Sequence, residues 1–82
     1  MNTLVHKIYN WSLKTPNEIA LIAKKKSFSY KELFENIWAS KELLEIVHDI
    51  SKGDIVVLAA NKNVAFVFNY FALHLIGATV MP

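Results

Sequence analysis

The sequence contains no cysteine and no arginine, and only two glycines and two prolines among 82 residues. The absence of cysteine excludes disulfides, thiolate catalysis and zinc–sulfur sites. All nine basic residues are lysine, so no guanidinium is present to bind phosphates or base edges through two parallel hydrogen bonds. Because the net charge is only +2, we do not expect the chain to bind nucleic acid.

Glycines and histidines are too sparse to build a cofactor or metal site. Gly53 and Gly77 stand 24 residues apart, and no nucleotide-binding fingerprint can be made from them. His6, His48 and His74 are equally scattered. We predict that His48 lies near the carbonyls of a helix end and that His74 is a hydrogen-bonded core histidine, with a functional role as the alternative. No catalytic, cofactor-binding or metal-binding residue is predicted.

The apolar content is high for so short a chain, at 54%, with 20% charged residues. Disorder is therefore not expected, and residues 1–82 are predicted to form a single segment with one core. The excess apolar surface is expected to contact either the remainder of a longer chain or another copy. The short run Lys24–Lys26 is interpreted as a solvated turn and not as a binding arm.

A stretch of 18 uncharged residues, Val64–Met81, raises the question of a membrane span. Because Asn69, His74 and Thr79 interrupt it, a buried helix that leads into a strand is the preferred interpretation, and a membrane protein is the alternative. The first twelve residues show no signal peptide, so a cytoplasmic location is expected.

Local signals in the first half predict a helix, a hairpin and a second helix. Thr3 can cap the first helix, whose apolar positions Leu4, Ile8 and Trp11 precede a predicted end near Lys14. The run 19–23, a lysine turn and Phe28 then predict a hairpin. The sequence 29–32 is a capping box, in which the Ser hydroxyl and the Glu carboxylate each accept a backbone N–H.

The second helix is predicted to be amphipathic. Its apolar stripe consists of Tyr30, Leu33, Ile37, Leu44 and Val47. The polar face carries Lys31, Glu32, Glu35, Lys41, Glu42 and Glu45. Because these carboxylates are expected to face water and not a cleft, we assign them no acid–base chemistry.

The second half predicts an α/β fold, with a partial βαβ-type sheet and flanking helices. After a turn at 51–54, the unbroken apolar run 55–60 is typical of a strand buried on both faces. Asn61 or Asn63 is predicted to cap the next helix, which is apolar almost all round and ends at Gly77. Residues 78–82 begin another strand, and we predict a right-handed crossover between the two.

The segment Asn61-Lys62-Asn63 follows the carboxyl end of a predicted parallel strand, where α/β proteins often bind ligands. Helix capping with a solvated lysine is the preferred interpretation, because no glycine there would let a phosphate approach. A ligand-binding role is the alternative.

The order of these signals resembles the amino-terminal segment of the adenylate-forming, AMP-binding enzymes, which include acyl-CoA synthetases, adenylation domains and luciferases. The residues that carry the resemblance are Thr15-Pro16, Ala20-Leu21-Ile22, Phe28 to Leu33, Lys52 to Val56, Asn61, Gly77-Ala78 and Pro82. They extend over about residues 4–82. The resemblance implies a parent enzyme that uses ATP and Mg²⁺ to activate a carboxylate and then passes the acyl group to a thiol such as coenzyme A.

The motifs on which that chemistry depends in the family do not occur in this sequence. They are a Ser/Thr/Gly-rich phosphate loop, a Tyr-Gly-x-Thr-Glu-like segment, a ribose-binding Asp and a carboxy-terminal Lys. The resemblance therefore implies a scaffold segment that is inactive alone. A stand-alone interaction module without catalysis is the alternative.

Overall fold

The computed structural model describes residues 3–23, 25–58 and 64–81. In chain order the elements are α1 (Thr3–Lys14), β1 (Ile19–Ala23), β2 (Lys26–Ser29), α2 (Tyr30–Ile46), β3 (Ile55–Val57), α3 (Val64–Ile76) and β4 (Thr79–Met81). The strands form two separate sheets, an antiparallel β1–β2 pair and a parallel β3–β4 pair. The predicted α/β class and the strand–helix–strand order of the second half are confirmed.

Helix α1 ends at Lys14, as predicted from the following Thr15-Pro16. The backbone N–H and the hydroxyl of Thr15 both donate to the Trp11 carbonyl, at 2.8 and 3.1 Å, and close the last turn. The expected cap by the Thr3 side chain lies outside the described residues.

The buried face of α1 is formed by Val5 and Ile8. Of the predicted apolar stripe only Ile8 belongs to it, because Leu4 and Trp11 lie to its sides and are about half exposed. The Trp11 ring instead contacts the Tyr30 ring, with 6.2 Å between ring centroids.

The hairpin β1–β2 forms as predicted. Ala23 pairs with Lys26 next to the turn, and the register shifts between Ile19 and Leu21. Lys25 is exposed in this turn, whereas Lys24 lies outside the described residues. Phe28 is buried and brings the hairpin onto the core.

The capping box at the start of α2 is confirmed. The Glu32 N–H donates to Ser29 Oγ at 3.1 Å, and the Ser29 N–H donates to Glu32 Oε1 at 3.0 Å. Of the predicted stripe, Leu33 and Ile37 are buried, whereas Val47 caps the helix end and is 64% exposed.

One hydrophobic core joins the three helices to the hairpin. Its buried members are Ile8, Phe28, Leu33, Ile37, Phe68 and Ala72. The rings of Phe28 and Phe68 meet edge to face, with 5.5 Å between centroids, and connect β2 to α3. Leu73, Ile76 and Ala78 are also buried, at the junction of α3 with β4. Helix α3 thus lies between α2 and the parallel strands.

In the described ranges, no helix combines the length and the apolar character that a membrane crossing requires. The uncharged stretch from Val64 is divided between α3 and β4, with Gly77 between them.

Candidate functional site

The parallel pair β3–β4 precedes and follows the segment for which the sequence left ligand binding as the alternative, and it carries part of the apolar surface expected to contact a partner. Val56 pairs with Val80 at the centre of the three-residue register. Backbone hydrogen bonds continue beyond the strands at both ends, from Thr79 N–H to the Asp54 carbonyl at 2.7 Å and from Leu58 N–H to the Met81 carbonyl at 2.9 Å. The pair is therefore well formed, although each strand is short.

The chain enters β3 through a turn built by its own side chains. The Ser51 N–H donates to Asp54 Oδ2 at 2.8 Å, and the Asp54 N–H donates back to the Ser51 carbonyl at 3.1 Å. Gly53 has φ +91°, a conformation that side-chain-bearing residues rarely adopt, so the predicted role of glycine in this turn is confirmed.

The chain enters β4 through a Schellman motif at the end of α3. The Gly77 N–H donates to the His74 carbonyl at 3.2 Å, and the Ala78 N–H donates to the Leu73 carbonyl at 3.1 Å. Gly77 has φ +89°, which confirms its predicted place. Leu73 and Ala78 occupy the two positions at which apolar residues frequently accompany this motif, and both are buried.

One face of the pair is exposed and the other is only partly covered, so the prediction of a strand buried on both sides was wrong for this chain. Ile55 is 68% exposed, Val57 75% and Met81 50%, while Val56 and Val80 are half-buried. Within the described residues β3 pairs only with β4. The apolar composition of a strand indicates that it is suited to burial on both faces. The described helices and strands do not supply the layers that would bury it.

The remaining sequence-predicted positions do not converge on a catalytic centre. The segment Asn61-Lys62-Asn63 lies outside the described residues. His6 and His48 are exposed, and His74 is half-buried with its ring edge-on to Tyr70, at 4.6 Å between centroids. Across the ranges that the structure describes, no three His, Asp or Glu side chains are grouped closely enough to hold a metal ion.

A second surface was missed from the sequence. A groove of about 630 Å³ opens between α1 and α2, and its lining is Tyr9, Phe34, Glu35, Trp38, Ala39 and Glu42. Four of these residues, Glu35, Trp38, Ala39 and Glu42, lie on or beside the glutamate-rich face of α2, which the sequence analysis expected to face water. The presence of Trp38 and Ala39 among the glutamates was the sequence signal that could have indicated this groove. The groove is not near β3 or β4 in the chain, and its chemistry is considered separately below.

Comparison with known proteins gives structural relatives. No protein-family model matches the chain, and no curated protein matches it by sequence. The N-terminal subdomain of Klebsiella oxytoca NpsA in complex with 3-hydroxybenzoyl-AMSN matches 100% of the chain at 27% identity, with a TM-score of 0.88. An artificially fused adenylation–PCP di-domain NRPS, NpsA-ThdA from the same organism, matches 95% of the chain at 30% identity, with a TM-score of 0.74.

A variant of E. coli MenE with bound OSB-AMS shares the fold. It matches 92% of the chain with a TM-score of 0.83, and its 23% identity supports a statement about fold alone. The chain spans 21% of the length of the NpsA subdomain, 16% of MenE and 15% of the NpsA-ThdA fusion.

The β3–α3–β4 unit, with its hairpin and two flanking helices, thus matches part of the N-terminal subdomain of adenylation enzymes. The chain is similar to the amino-terminal segment of adenylate-forming enzymes, the resemblance that the order of the sequence signals indicated.

Proposed function

We propose that this chain is the amino-terminal scaffold segment of an ATP-dependent enzyme that activates a carboxylate as an acyl-adenylate. The observation that carries the proposal is the match of the whole chain to the NpsA subdomain, at 27% identity and a TM-score of 0.88. Residues 1–82 would form one part of a larger amino-terminal domain. Because the reaction consumes ATP, we propose a cytoplasmic location.

The described residues do not fit ATP or Mg²⁺. Both glycines serve turns at the ends of the β3–β4 unit, and no glycine-rich loop is left to surround a phosphate. No group of carboxylates or histidines among the described residues is suited to a divalent cation. ATP, Mg²⁺ and coenzyme A would therefore be bound by other parts of the enzyme, and we derive no reaction step from this chain.

The role that the chain's own residues support is the positioning of a parallel sheet. β3 and β4 are aligned by backbone hydrogen bonds, and Ile55, Val57 and Met81 present apolar side chains to whatever adjoins them. Parallel sheets are normally covered on both faces. The remainder of the enzyme is thus the proposed partner of this surface, and its strands and helices would bury these side chains.

Two acceptors for the activated acyl group are supported to different degrees. The first is coenzyme A, which would make the parent an acid–thiol ligase of the acyl-CoA synthetase type, as used in fatty acid metabolism. The second is a carrier protein, which the match to an adenylation–PCP di-domain favours. Both begin with the same adenylation half-reaction, so the acceptor does not affect the proposal for the chain itself.

The test is the protein encoded by the full open reading frame around this sequence. We expect it to contain the phosphate loop and the other family motifs, and to catalyse ATP–pyrophosphate exchange that depends on a carboxylic acid. Transfer of the product to coenzyme A or to a carrier protein then separates the two acceptors. The 82-residue chain alone is the control and should give no exchange above background. A reading frame that lacks these motifs, or exchange by the short chain alone, would contradict the proposal.

A further inference from the structure

The outer face of α2 carries large apolar side chains that are exposed to solvent. Trp38 is 41% exposed, and Ile46 is 79% exposed. Together with Glu35, Ala39 and Glu42 they occupy positions 35, 38, 39, 42 and 46, which follow the three- and four-residue spacing of a single helix face. We call these five residues the α2 stripe. From Glu35 to Ile46 it extends for roughly 16 Å, or about three helical turns.

The aromatic part of the stripe is held in place before anything binds. Phe34 stands between Tyr9 and Trp38, with 5.0 and 6.0 Å between ring centroids. The Trp38 indole N–H donates to Glu42 Oε1 at 2.9 Å, and Lys41 Nζ lies 4.6 Å from the Trp38 ring centroid. Since these contacts already restrict the indole, a partner would lose little free energy in ordering it.

The groove beside these rings is negatively charged. Glu35 and Glu42 line it, and no lysine does. Lys41, next to Glu42 in the sequence, forms an ion pair with Glu45 at 2.7 Å, the one ion pair found among the described side chains. Among the described residues neither lining carboxylate forms an ion pair, although Glu42 Oε1 accepts the Trp38 indole N–H, and the rest of the lining is aromatic or aliphatic.

We propose that the α2 stripe and its groove dock an amphipathic helix of a partner protein, with lysine or arginine beside the apolar face of that helix. An apolar stripe of this spacing next to a groove is the arrangement that accepts a helix, with the bound helix inserting residues one turn apart. Glu35 and Glu42 would then pair with the basic flank and set its orientation. This inference does not rest on the proposed enzymatic function and concerns residues outside β3 and β4.

A second copy of the chain is a less suitable occupant of the stripe. Two copies of α2 packed through the same face would bring Glu35 and Glu42 of each copy into one interface, without a stripe lysine to balance them. Like charges brought together in this way oppose association. A basic partner meets the same carboxylates with the opposite sign of charge.

The experiment uses the full chain and two fluorescent helical peptides of 18 or so residues, long enough to cover three turns. One peptide has a leucine face flanked by lysines, and the matched peptide has glutamates in place of the lysines. Fluorescence anisotropy during titration with the chain gives both affinities. We expect the basic peptide to bind at least about tenfold more tightly, with a difference that shrinks as salt is added. Equal affinities, or no binding of the basic peptide, would overturn the proposal.

Variants of the chain locate the binding site. Glu35→Lys should weaken the basic peptide by about fivefold, because an exposed attraction becomes a repulsion. Glu18→Lys is the matched control, since Glu18 is also exposed but lies before β1, and it should leave the affinity within about twofold. Ile46→Ser should weaken binding without altering the core, from which Ile46 is excluded. Equal weakening by Glu18→Lys and Glu35→Lys would show general charge attraction and overturn the proposal.

The same variants report on the competing occupant. If Ile46→Ser lowers the mass of the chain in sedimentation while peptide affinity does not change, the stripe is occupied by a second copy and the partner helix is rejected. Circular dichroism of each variant establishes that α2 is still folded when its affinity is measured.

Discussion

The N–H of Gly53 donates to the carbonyl of Gly77 at 3.0 Å. The only two glycines of the sequence, too far apart to form a nucleotide loop, are thus bonded to each other, and each has a φ near +90°. One precedes β3 and the other precedes β4, so their hydrogen bond sets the two parallel strands side by side at their amino ends.

Replacing either glycine by alanine should destabilise the chain by about 1–2 kcal/mol, because the required φ is unfavourable for a residue with a Cβ. A Cβ at Gly53 would meet no atom within 4 Å, so its cost is backbone strain alone. At Gly77 the Cβ would lie 3.1 Å from Lys52 Cγ, which adds crowding. Chemical denaturation of both variants, and of Gly77→Ala combined with Lys52→Ala, separates the two causes. If Gly77→Ala is no less costly in the Lys52→Ala background, crowding is not a contributor.

Ser29→Ala should lower the free energy of unfolding by about 1 kcal/mol, because the Glu32 N–H loses the hydroxyl that caps α2. Lys25→Ala in the neighbouring hairpin turn is the control and should be nearly silent. Lys26 is unsuitable as a control, since its Nζ lies 5.0 Å from the Phe28 ring centroid. Equal losses for Ser29→Ala and Lys25→Ala in urea denaturation would contradict the capping role.

The capping box should also give the stability of the chain a dependence on acid pH. The hydrogen bond from the Ser29 backbone N–H, followed by the bond with the Ser29 side chain and the charge of Lys26, lowers the pKa of Glu32. A depressed folded-state pKa means that this carboxylate stabilises the fold above its unfolded-state pKa. The contribution is lost as the pH falls through the lowered folded-state pKa.

Glu32→Gln isolates this effect, because the amide can still accept the Ser29 N–H but cannot ionise. We expect the difference in unfolding free energy between the chain and the variant to be constant above about pH 5 and to shrink on acidification below about pH 4. Glu35→Gln is the control on the same helix. A difference that stays the same down to pH 3 or so would show that the Glu32 charge does not matter.

The isolated chain should associate through the parallel strands. Ile55 and Val57 are more than two-thirds exposed on a two-stranded pair, and exposed strand edges and apolar faces favour pairing with other chains. Sedimentation over a concentration series should show mass increasing with concentration, and Val57→Lys should reduce this increase. Leu13→Lys, at an exposed position of α1, is the control. A monomer at all concentrations would contradict this prediction.

The ends of the helices could be predicted from the sequence, whereas the exposure of the parallel strands could not. The start of α2 is determined by Ser29 and Glu32 within one turn of helix, and the end of α3 by Gly77, so neither depends on distant contacts. The exposure of Val57 depends on what lies across from the strand, and an apolar run has the same composition whether or not a neighbour covers it.

The apolar side chains on α2 were missed for a related reason. Because glutamates occupy positions 35, 42 and 45, we expected that face of α2 to contact only water, although Trp38 and Ile46 lie among them. Charged and apolar residues can share an exposed helix face when that face binds another molecule. The composition of the face does not reveal the apolar patch, because the charged residues offset the apolar ones in any average.

The division of the strands into two separate pairs has a consequence for amide hydrogen exchange. A two-stranded sheet is only marginally stable by itself in water. In the isolated chain, the amides of Gly53, Leu58 and Thr79, which connect β3 to β4 or extend their pairing, should exchange with solvent through local opening, long before the amides around Ile37 in α2. If further strands were added to the β3–β4 pair, the amides of Gly53, Leu58 and Thr79 would become protected and would no longer exchange before those around Ile37. The exchange lifetimes of these three amides therefore report whether the sheet is being completed, independently of any enzymatic assay.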